Sequence, residues 1–135
     1  MIKTKWNIIT GSPSSGKSSV LEYISMKGFK VYPEVARVIM KNYESKGNEL
    51  SKLTNDKEKF EKLILELKQE IEANTKVNKV VFFDRSIIDS YAFAQHYNID
   101  LTNEKLPKYL YNNIFYLEPL PYTVDNYRLE NEKDS

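Results

Sequence analysis

The chain has 135 residues, a formal net charge of +1 and no cysteine. This length suits a single domain, and the lack of cysteine excludes disulfides and thiolate metal sites. A near-neutral charge gives no electrostatic reason to expect nucleic-acid binding. The first residues lack the apolar core of a signal peptide, and no apolar run approaches the roughly 20 residues of a membrane span. We therefore expect a cytoplasmic protein with neither a membrane nor a nucleic-acid partner.

Short apolar strands alternate with helices from the N-terminus onward. A first strand is predicted over 6–10 and ends at Gly11, and a helix follows from Gly16 to Gly28. A second strand is predicted over 29–34, and it leads into a helix over 34–47. The spacing of apolar residues in both helices indicates one buried face.

A long helix is predicted over 56–76, after a polar segment that ends in the candidate caps Asn55 and Asp56. Its apolar residues follow the spacing i, i+3, i+4, i+7, i+11, which predicts core packing rather than a binding surface. These residues are Phe60, Leu63, Ile64, Leu67 and Ile71.

The remaining elements are a third strand over 79–84, a helix over 86–97 and a fourth strand within 112–121. The four consecutive apolar residues of "VVFFD" are typical of a strand that is covered on both faces. Alternating strands and helices predict an α/β fold, a parallel sheet with helices on both faces in a three-layer sandwich.

The segment "GSPSSGKS", from Gly11 to Ser18, satisfies the pattern G-x-x-x-x-G-K-[ST] between a strand and a helix. Its glycines permit backbone N–H groups to converge on a phosphate, and the following helix directs its positive end there. We expect Lys17 to contact the outer phosphates and Ser18 to ligate Mg²⁺. The predicted nucleotide-binding residues are Gly11, Ser12, Pro13, Ser14, Ser15, Gly16, Lys17, Ser18 and Ser19. The alternative is a serine-rich surface turn.

Asp84 and Arg85 follow the third strand directly. A carboxylate in this Walker B position is a typical Mg²⁺ partner, and the alternative is that Asp84 caps the helix from Ser86. Motor ATPases of the AAA class typically place a Glu after this Asp to polarise water. Arg85 stands there instead, and a guanidinium suits phosphate or developing negative charge, which favours phosphoryl transfer.

Glu34 and Arg37, in "PEVAR", lie at the end of the second strand. In a sheet ordered about 2-3-1-4, the carboxyl ends of strands 1, 3 and 2 are neighbours, and ligands collect at that edge. Glu34 is thus a candidate base for a substrate hydroxyl, and Arg37 a candidate ligand for a charged substrate group. The alternative is a helix-terminal Glu and a solvated Arg.

Arg128 lies in the polar segment "TVDNYRLENEK" after the fourth strand. As a catalytic residue it would belong to a lid that closes over the phosphates and stabilises transferred charge. The alternative is a surface arginine near the terminus.

Taken together, the phosphate loop, "PEVAR", "VVFFDRS" and "YTVDNYR" resemble the AAA-type P-loop ATPase and kinase-like family. This family includes the ribosylnicotinamide-kinase domain of the bifunctional NAD-biosynthesis regulator NadR. The resemblance implies ATP as co-substrate, Mg²⁺ at Ser18 and Asp84, and an acceptor side formed by Glu34, Arg37, Arg85 and Arg128. The base specificity, ATP or GTP, depends on the resemblance alone.

Members of that family usually continue beyond the lid into a helix and a fifth strand, whereas this sequence stops at Ser135. We therefore expect a single P-loop domain over 1–135 that is truncated in or after the lid. An unpaired fourth strand would then favour self-association through the sheet edge.

Two functions follow as hypotheses. The first is a kinase that transfers the γ-phosphate of Mg-ATP to a hydroxyl of a small, nucleoside-like molecule. The second is a nucleotide-gated binding or regulatory ATPase or GTPase with slow or no turnover. The Asp84-Arg85 pair and Glu34 favour the kinase, whereas the lack of a Glu after Asp84 and the early end of the sequence favour the second function. The sequence indicates the kinase for a full-length protein and nucleotide binding alone for the chain as given.

Overall fold

The computed structural model describes residues 1–12, 15–100 and 108–119. Strands and helices alternate through most of this range, as the sequence pattern predicts. The strands are β1 (Ile2–Lys3), β2 (Trp6–Gly11), β3 (Lys30–Tyr32), β4 (Val81–Asp84), β5 (Tyr109–Leu110) and β6 (Asn113–Leu117). The helices are α1 (Lys17–Met26), α2 (Val35–Ser45), α3 (Leu50–Thr54), α4 (Lys57–Ala73) and α5 (Ile87–His96).

The main sheet has the order β3-β4-β2-β6, and all its pairs are parallel. These are the four strands predicted from the sequence, and their order is the expected 2-3-1-4. The short pair β1–β5, which the sequence analysis missed, is also parallel. Its two-residue strands are too short to produce an alternating apolar pattern. The observed fold is therefore the α/β arrangement with a parallel sheet that the sequence predicts.

Trp6 is the centre of the core on one face of the sheet. It is fully buried with Ile8, Val81 and Phe83, and Ile71 from α4 packs against this cluster. The indole N–H donates a hydrogen bond of 2.9 Å to the carbonyl of Lys76, so its polar atom is satisfied. Helix α1 packs against β2 and β3. The core thus fixes the strands whose carboxyl ends carry the candidate site.

Helix α4 buries a face that matches the predicted one only in part: Ile64 is buried as predicted, and Ile71 packs against the Trp6 cluster. Its fully buried residues are Glu61, Ile64, Leu65 and Glu72, while the predicted Phe60, Leu63, Leu67 and Ile71 are only half-buried. The observed stripe has the same helical spacing but is turned by about one residue, and it includes acidic side chains. The spacing of apolar residues could not predict this stripe, because two of its buried residues, Glu61 and Glu72, are charged.

Several element boundaries also differ from the prediction. The segment 48–56, for which the sequence indicated only a polar character, contains the short helix α3, with Leu53 buried. The second strand ends at Tyr32, because Pro33 has no N–H for a further ladder bond. Of the two candidate caps before α4, Asp56 is the one used, and its carboxylate accepts from the N–H of Lys59 at 3.1 Å.

Strand β6 lies at the edge of the described sheet, and Ile114, Phe115 and Tyr116 are exposed there. Self-association through this edge stays a prediction. Within the described ranges, no helix is both long and apolar enough to cross a membrane.

Candidate functional site

The predicted site residues converge at the carboxyl edge of the sheet. Gly11 ends β2, Asp84 ends the neighbouring β4, and Glu34 precedes α2 just after β3. Because parallel strands bring their carboxyl ends to one edge, residues separated by up to 73 positions in the chain become neighbours. This is the position where open α/β sheets bind ligands.

Gly11 is required by the close approach of β6. A Cβ atom at this position would lie 2.6 Å from the carbonyl oxygen of Leu117, and that oxygen belongs to the backbone and cannot yield easily. The first glycine of the phosphate-loop motif thus permits the packing of β2 against β6. This is a structural reason beyond the backbone freedom for which the motif selects glycine.

The second glycine of the motif, Gly16, has φ 80° and ψ 14°, in the left-handed region, and immediately precedes α1. This conformation is accessible to glycine at little cost and turns the chain from the loop into the helix. Ser18 and Ser19 follow in the first turn of α1 and are exposed. The N–H groups of that first turn have no partner within the helix, so they can donate to an anion.

Two hydroxyl groups in the loop, Ser12 Oγ and Ser15 Oγ, are buried and have no hydrogen-bond partner among the residues that the structure describes. Buried polar atoms are nearly always paired, and an unpaired one indicates a ligand or water. Together with the helix N-terminus, these hydroxyls fit the oxygens of a phosphate group. Pro13 and Ser14, which complete the predicted loop, lie outside the described residues.

Lys17 is the cation of this site and is only 7% exposed. Its ammonium group contacts Asp84 Oδ1 and lies 3.7 Å from Glu34 Oε2. A buried ammonium needs such counter-charges in the absence of a polyanion. The structure therefore brings together three residues that the sequence analysis proposed independently: Lys17, Glu34 and Asp84.

The alternative role for Asp84, capping of α5, is wrong. Ser86 caps this helix: its hydroxyl accepts from the N–H of Ile88 at 3.1 Å, and Asp89 accepts from the N–H of Ser86 at 2.7 Å. This reciprocal pair is a capping box. Asp84 is thus not needed by the helix, and its carboxylate faces Lys17.

Arg85 has an unusual backbone conformation, with φ 67°. A non-glycine residue in the left-handed region costs roughly 1–2 kcal/mol, and such residues cluster at functional sites. The guanidinium donates to the carbonyl of Gly11 at 3.1 Å, and its Nε lies 3.9 Å from Glu34 Oε2. Arg85 therefore joins the phosphate loop to Glu34.

Arg37 lies on the outer side of this cluster. Its Nε is 3.9 Å from Glu34 Oε2, and its side chain is 53% exposed. This exposure leaves the guanidinium accessible to a ligand in solvent. The remaining predicted site residue, Arg128, lies outside the described residues.

A cavity of about 490 Å³ opens beside Glu34 and Arg85, between α2, α4 and α5. Its size suits a small molecule. Apolar and polar side chains both line it, in part Ala36, Phe60, Ile64, Phe93, Glu61 and Ser90. The sequence analysis did not anticipate this cavity, because it forms between helices whose packing a linear pattern does not specify.

Lys68, which the sequence analysis also missed, lines the cavity. Its ammonium donates to the carbonyl of Ser86 and to Ser90 Oγ, both at 2.8 Å. Burial lowers the pKa of Lys68, while the nearby carboxylates of Asp89, Glu61 and Glu34 oppose this shift. The only sequence signal for Lys68 was its position seven residues after Glu61, on one face of a helix.

The oxygen-bearing side chains at this edge of the sheet are also candidate ligands for a metal ion. Among the described residues, no cluster of three or more His, Cys, Asp or Glu side chains could hold one. Mg²⁺ in proteins is usually bound by one or two protein oxygens together with substrate phosphates and water. Ser18 and Asp84 fit that smaller role, with phosphate oxygens from the nucleotide completing the set.

A parallel α/β sheet with a glycine-bounded phosphate loop and a buried lysine at the start of a helix defines the class of P-loop NTPase-like proteins. Comparison with protein families agrees, since a family described as an AAA domain matches residues 6–135. This match covers nearly all of the chain, which therefore belongs to the AAA domain family of P-loop nucleotide-binding proteins. Comparison with curated proteins gives no match.

Proposed function

We propose that the protein is a Mg-ATP-dependent kinase that phosphorylates a hydroxyl group of a small, nucleoside-like molecule. ATP is preferred to GTP here because of the resemblance to ribosylnicotinamide kinases. The nucleotide would occupy the loop from Gly11 to Ser19, and the acceptor would occupy the cavity.

The observation that carries this proposal is that Glu34 and Arg85 lie between the phosphate loop and the cavity. Both residues line the cavity, and both belong to the ion cluster that includes Lys17. A molecule in the cavity would therefore lie next to the groups that face the terminal phosphate. Placement of two reactants at contact distance accounts for much of the rate enhancement in phosphoryl transfer.

In the proposed reaction, the acceptor hydroxyl oxygen forms a bond to the γ-phosphorus, and the bond between that phosphorus and the β–γ bridging oxygen breaks. ADP leaves with the electron pair of that bond, and the hydroxyl proton passes to the carboxylate of Glu34. Arg85 stabilises the charge on the transferred group, and the same role is proposed for Arg128. Arg37 binds a polar group of the acceptor at the exposed side.

Lys17 changes partners when the nucleotide binds. Its ammonium leaves the carboxylates of Asp84 and Glu34 for the phosphate oxygens, which frees Glu34 for the acceptor. Ser18 and Asp84 would then hold Mg²⁺, which neutralises phosphate charge when bound. The partners of the protein are thus a nucleoside triphosphate and a phosphate acceptor.

A single-turnover assay with γ-labelled ATP and a panel of hydroxyl-bearing metabolites tests the proposal. We expect label on a small acceptor. Release of free phosphate alone, or retention of label in ATP with every acceptor, would contradict it.

Replacement of Glu34 tests the proposed base. We expect Glu34→Gln to bind ATP with nearly unchanged affinity and to transfer phosphate about 10²–10⁴ times more slowly, because a positioned base contributes that much. The measurement is label transfer in single turnover beside an ATP-binding titration. Glu44→Gln, which changes an exposed glutamate near the end of α2, is the matched control. Wild-type transfer by Glu34→Gln would remove Glu34 from the mechanism.

A nucleotide-gated regulatory protein is the second candidate function. The observation that favours it is that Arg85 occupies the place where motor ATPases carry a water-polarising Glu. Such a protein would bind ATP or GTP and rearrange the Lys17 cluster without rapid turnover. Nucleotide binding with no label transfer and no phosphate release in the assay above would support this function.

A further inference from the structure

Within the cavity beside Glu34 and Arg85, most charged side chains are already committed to partners in the protein. Lys68 donates to Ser86 and Ser90, as described above. Asp89 accepts from the N–H of Ser86 and, at 2.9 Å, from Thr10 Oγ1. Arg85 donates to the carbonyl of Gly11. These contacts hold α5, β2 and the phosphate loop in place, and each of these charged groups has at least one partner within the protein.

Glu61 differs from all of them. It lies on α4, lines the cavity and is only 7% exposed. Its carboxylate has neither a hydrogen bond nor an ion pair with any residue in the part of the chain that the structure describes, and Lys68 is the charged group near it. Burial raises the pKa of Glu61, and Lys68 opposes this effect.

A carboxylate of a buried residue that faces a cavity, with no hydrogen-bond donor from the described part of the chain, needs a donor from a ligand or from water. The groups that can satisfy it are hydroxyl, amine and ammonium. A phosphate or carboxylate of the ligand would instead bring like charge close to Glu61, which is unfavourable. The free charge inside the cavity thus selects a donor-rich ligand that carries no negative charge there.

The apolar side chains define the rest of the ligand. Phe60 and Phe93 present ring surfaces to the cavity, and Ile64 adds an aliphatic surface. Aromatic surfaces favour a flat ring, neutral or cationic. Lys57, the remaining cation of the lining, is exposed, and its ammonium lies 4.2 Å from the centre of the Tyr97 ring. It therefore does not supply a buried anion site.

We infer that Glu61 is the residue that selects the phosphate acceptor, by accepting hydrogen bonds from hydroxyl or ammonium groups and excluding acceptors that already carry a phosphate. The substrate class is then an unphosphorylated, hydroxylated, ring-containing molecule of nucleoside size. A nucleoside monophosphate is excluded as acceptor. This inference rests on the proposed function, since it takes the cavity to be the acceptor site. Glu61 acts on specificity, and the proton transfer stays with Glu34.

The test compares ribonucleosides with their 5′-monophosphates as probes of the full chain, in the presence of a non-hydrolysable ATP analogue. Binding is measured by calorimetry, which needs no turnover. We expect the wild type to bind at least one nucleoside at least tenfold more tightly than its monophosphate. Glu61→Gln should lower the affinity for that nucleoside about 10–100-fold, because a hydrogen bond to a charged group contributes about that much to binding. The variant should also show a smaller preference for the nucleoside over its monophosphate.

Glu66→Gln, which changes an exposed glutamate of α4, is the matched control and should leave all affinities at the wild-type values. The affinity of Glu61→Gln for the ATP analogue should also be unchanged, which shows that the nucleotide site is intact. Failure of every nucleoside to bind the wild type, or equal affinities in Glu61→Gln and the wild type, would overturn the inference.

The same variants distinguish this inference from the proposed function. Nucleoside binding that depends on Glu61, without label transfer from ATP, would contradict the kinase but support Glu61 as the selecting residue. Label transfer with equal efficiency in the wild type and Glu61→Gln would support the kinase and overturn the role of Glu61. In a catalytically active protein, Glu61→Gln should raise the KM for the acceptor more than it lowers kcat.

Discussion

The charged residues at this site are shielded from solvent, and their contacts with one another offset the free energy that this loss of hydration costs. Lys17 lies among the carboxylates of Asp84 and Glu34, and Arg85 adds a second cation at 3.9 Å from Glu34. Two carboxylates and two cations nearly cancel, so the cluster is stable without a ligand. A triphosphate would compete with those carboxylates for the same cations, and the rearrangement gives nucleotide binding a direct effect on Glu34.

Glu72 is a second residue whose burial has a measurable consequence. It lies on α4 and accepts a hydrogen bond from the hydroxyl of Tyr111, and Lys68 is the nearby charge. Burial raises the pKa of Glu72 from 4.5 to about 7. The folded protein therefore binds a proton between these values that the unfolded chain releases. The contribution of Glu72 to stability is then largest below pH 4.5 and decreases as the pH rises towards 7.

We expect Glu72→Gln to remove this pH dependence. The glutamine amide stays neutral and keeps an oxygen that accepts from Tyr111. The variant should be more stable than the wild type above pH 7, by up to about 3 kcal/mol from the size of the shift. The measurement is the free energy of unfolding in urea at several pH values between 4.5 and 8. Glu70→Gln, at an exposed position of α4, is the control, and equal pH slopes for Glu72→Gln and the wild type would contradict the account.

At the scale of elements, helix α5 connects the phosphate side of the site to the cavity. Its first turn is fixed by the capping box of Ser86 and Asp89, and Asp89 also accepts from Thr10 on β2. Further along the same helix, Ser90 and Phe93 line the cavity. The position of the cavity wall therefore depends on the stability of the first turn of α5.

Replacement of the helix cap tests this dependence. We expect Ser86→Ala to lower the free energy of unfolding by about 1–2 kcal/mol, because the N–H of Ile88 loses its acceptor in a buried turn. Urea denaturation measures the change. Ser25→Ala, at an exposed position of α1, should be close to neutral. A loss below about 0.3 kcal/mol in Ser86→Ala would show that the cap contributes little.

The elements also show what the sequence could predict. The strand order, the phosphate loop and the proximity of Glu34 to Asp84 were predicted, because parallel strands bring their carboxyl ends together whatever the details of packing. The cavity, Lys68 and Glu61 were not predicted. All three depend on which face of α4 points into the protein. A stripe of apolar residues predicts that face only when every buried position is apolar, and here two buried positions are glutamates.

At the scale of the whole molecule, one edge of the sheet places the loop between β2 and α1 next to the cavity. The loop between β2 and α1 has features of a phosphate cradle, including the Ser12 and Ser15 hydroxyls, for which no described residue supplies a hydrogen-bond partner. The cavity lies on the other side of Glu34 and Arg85, which belong to both. This arrangement is what a transfer of phosphate between two bound molecules requires.

The most direct test of the account is the affinity of the chain for Mg-ATP, measured by calorimetry and by the shift in Tm, in the wild type, Lys17→Ala and Lys41→Ala. Lys41 is an exposed lysine of α2 and serves as the control. Loss of the Lys17 ammonium leaves Asp84 and Glu34 facing the phosphates with less opposing charge. The account predicts binding by the wild type and Lys41→Ala and at least a hundredfold loss in Lys17→Ala. Equal affinities in all three proteins, or no binding by the wild type, would contradict it.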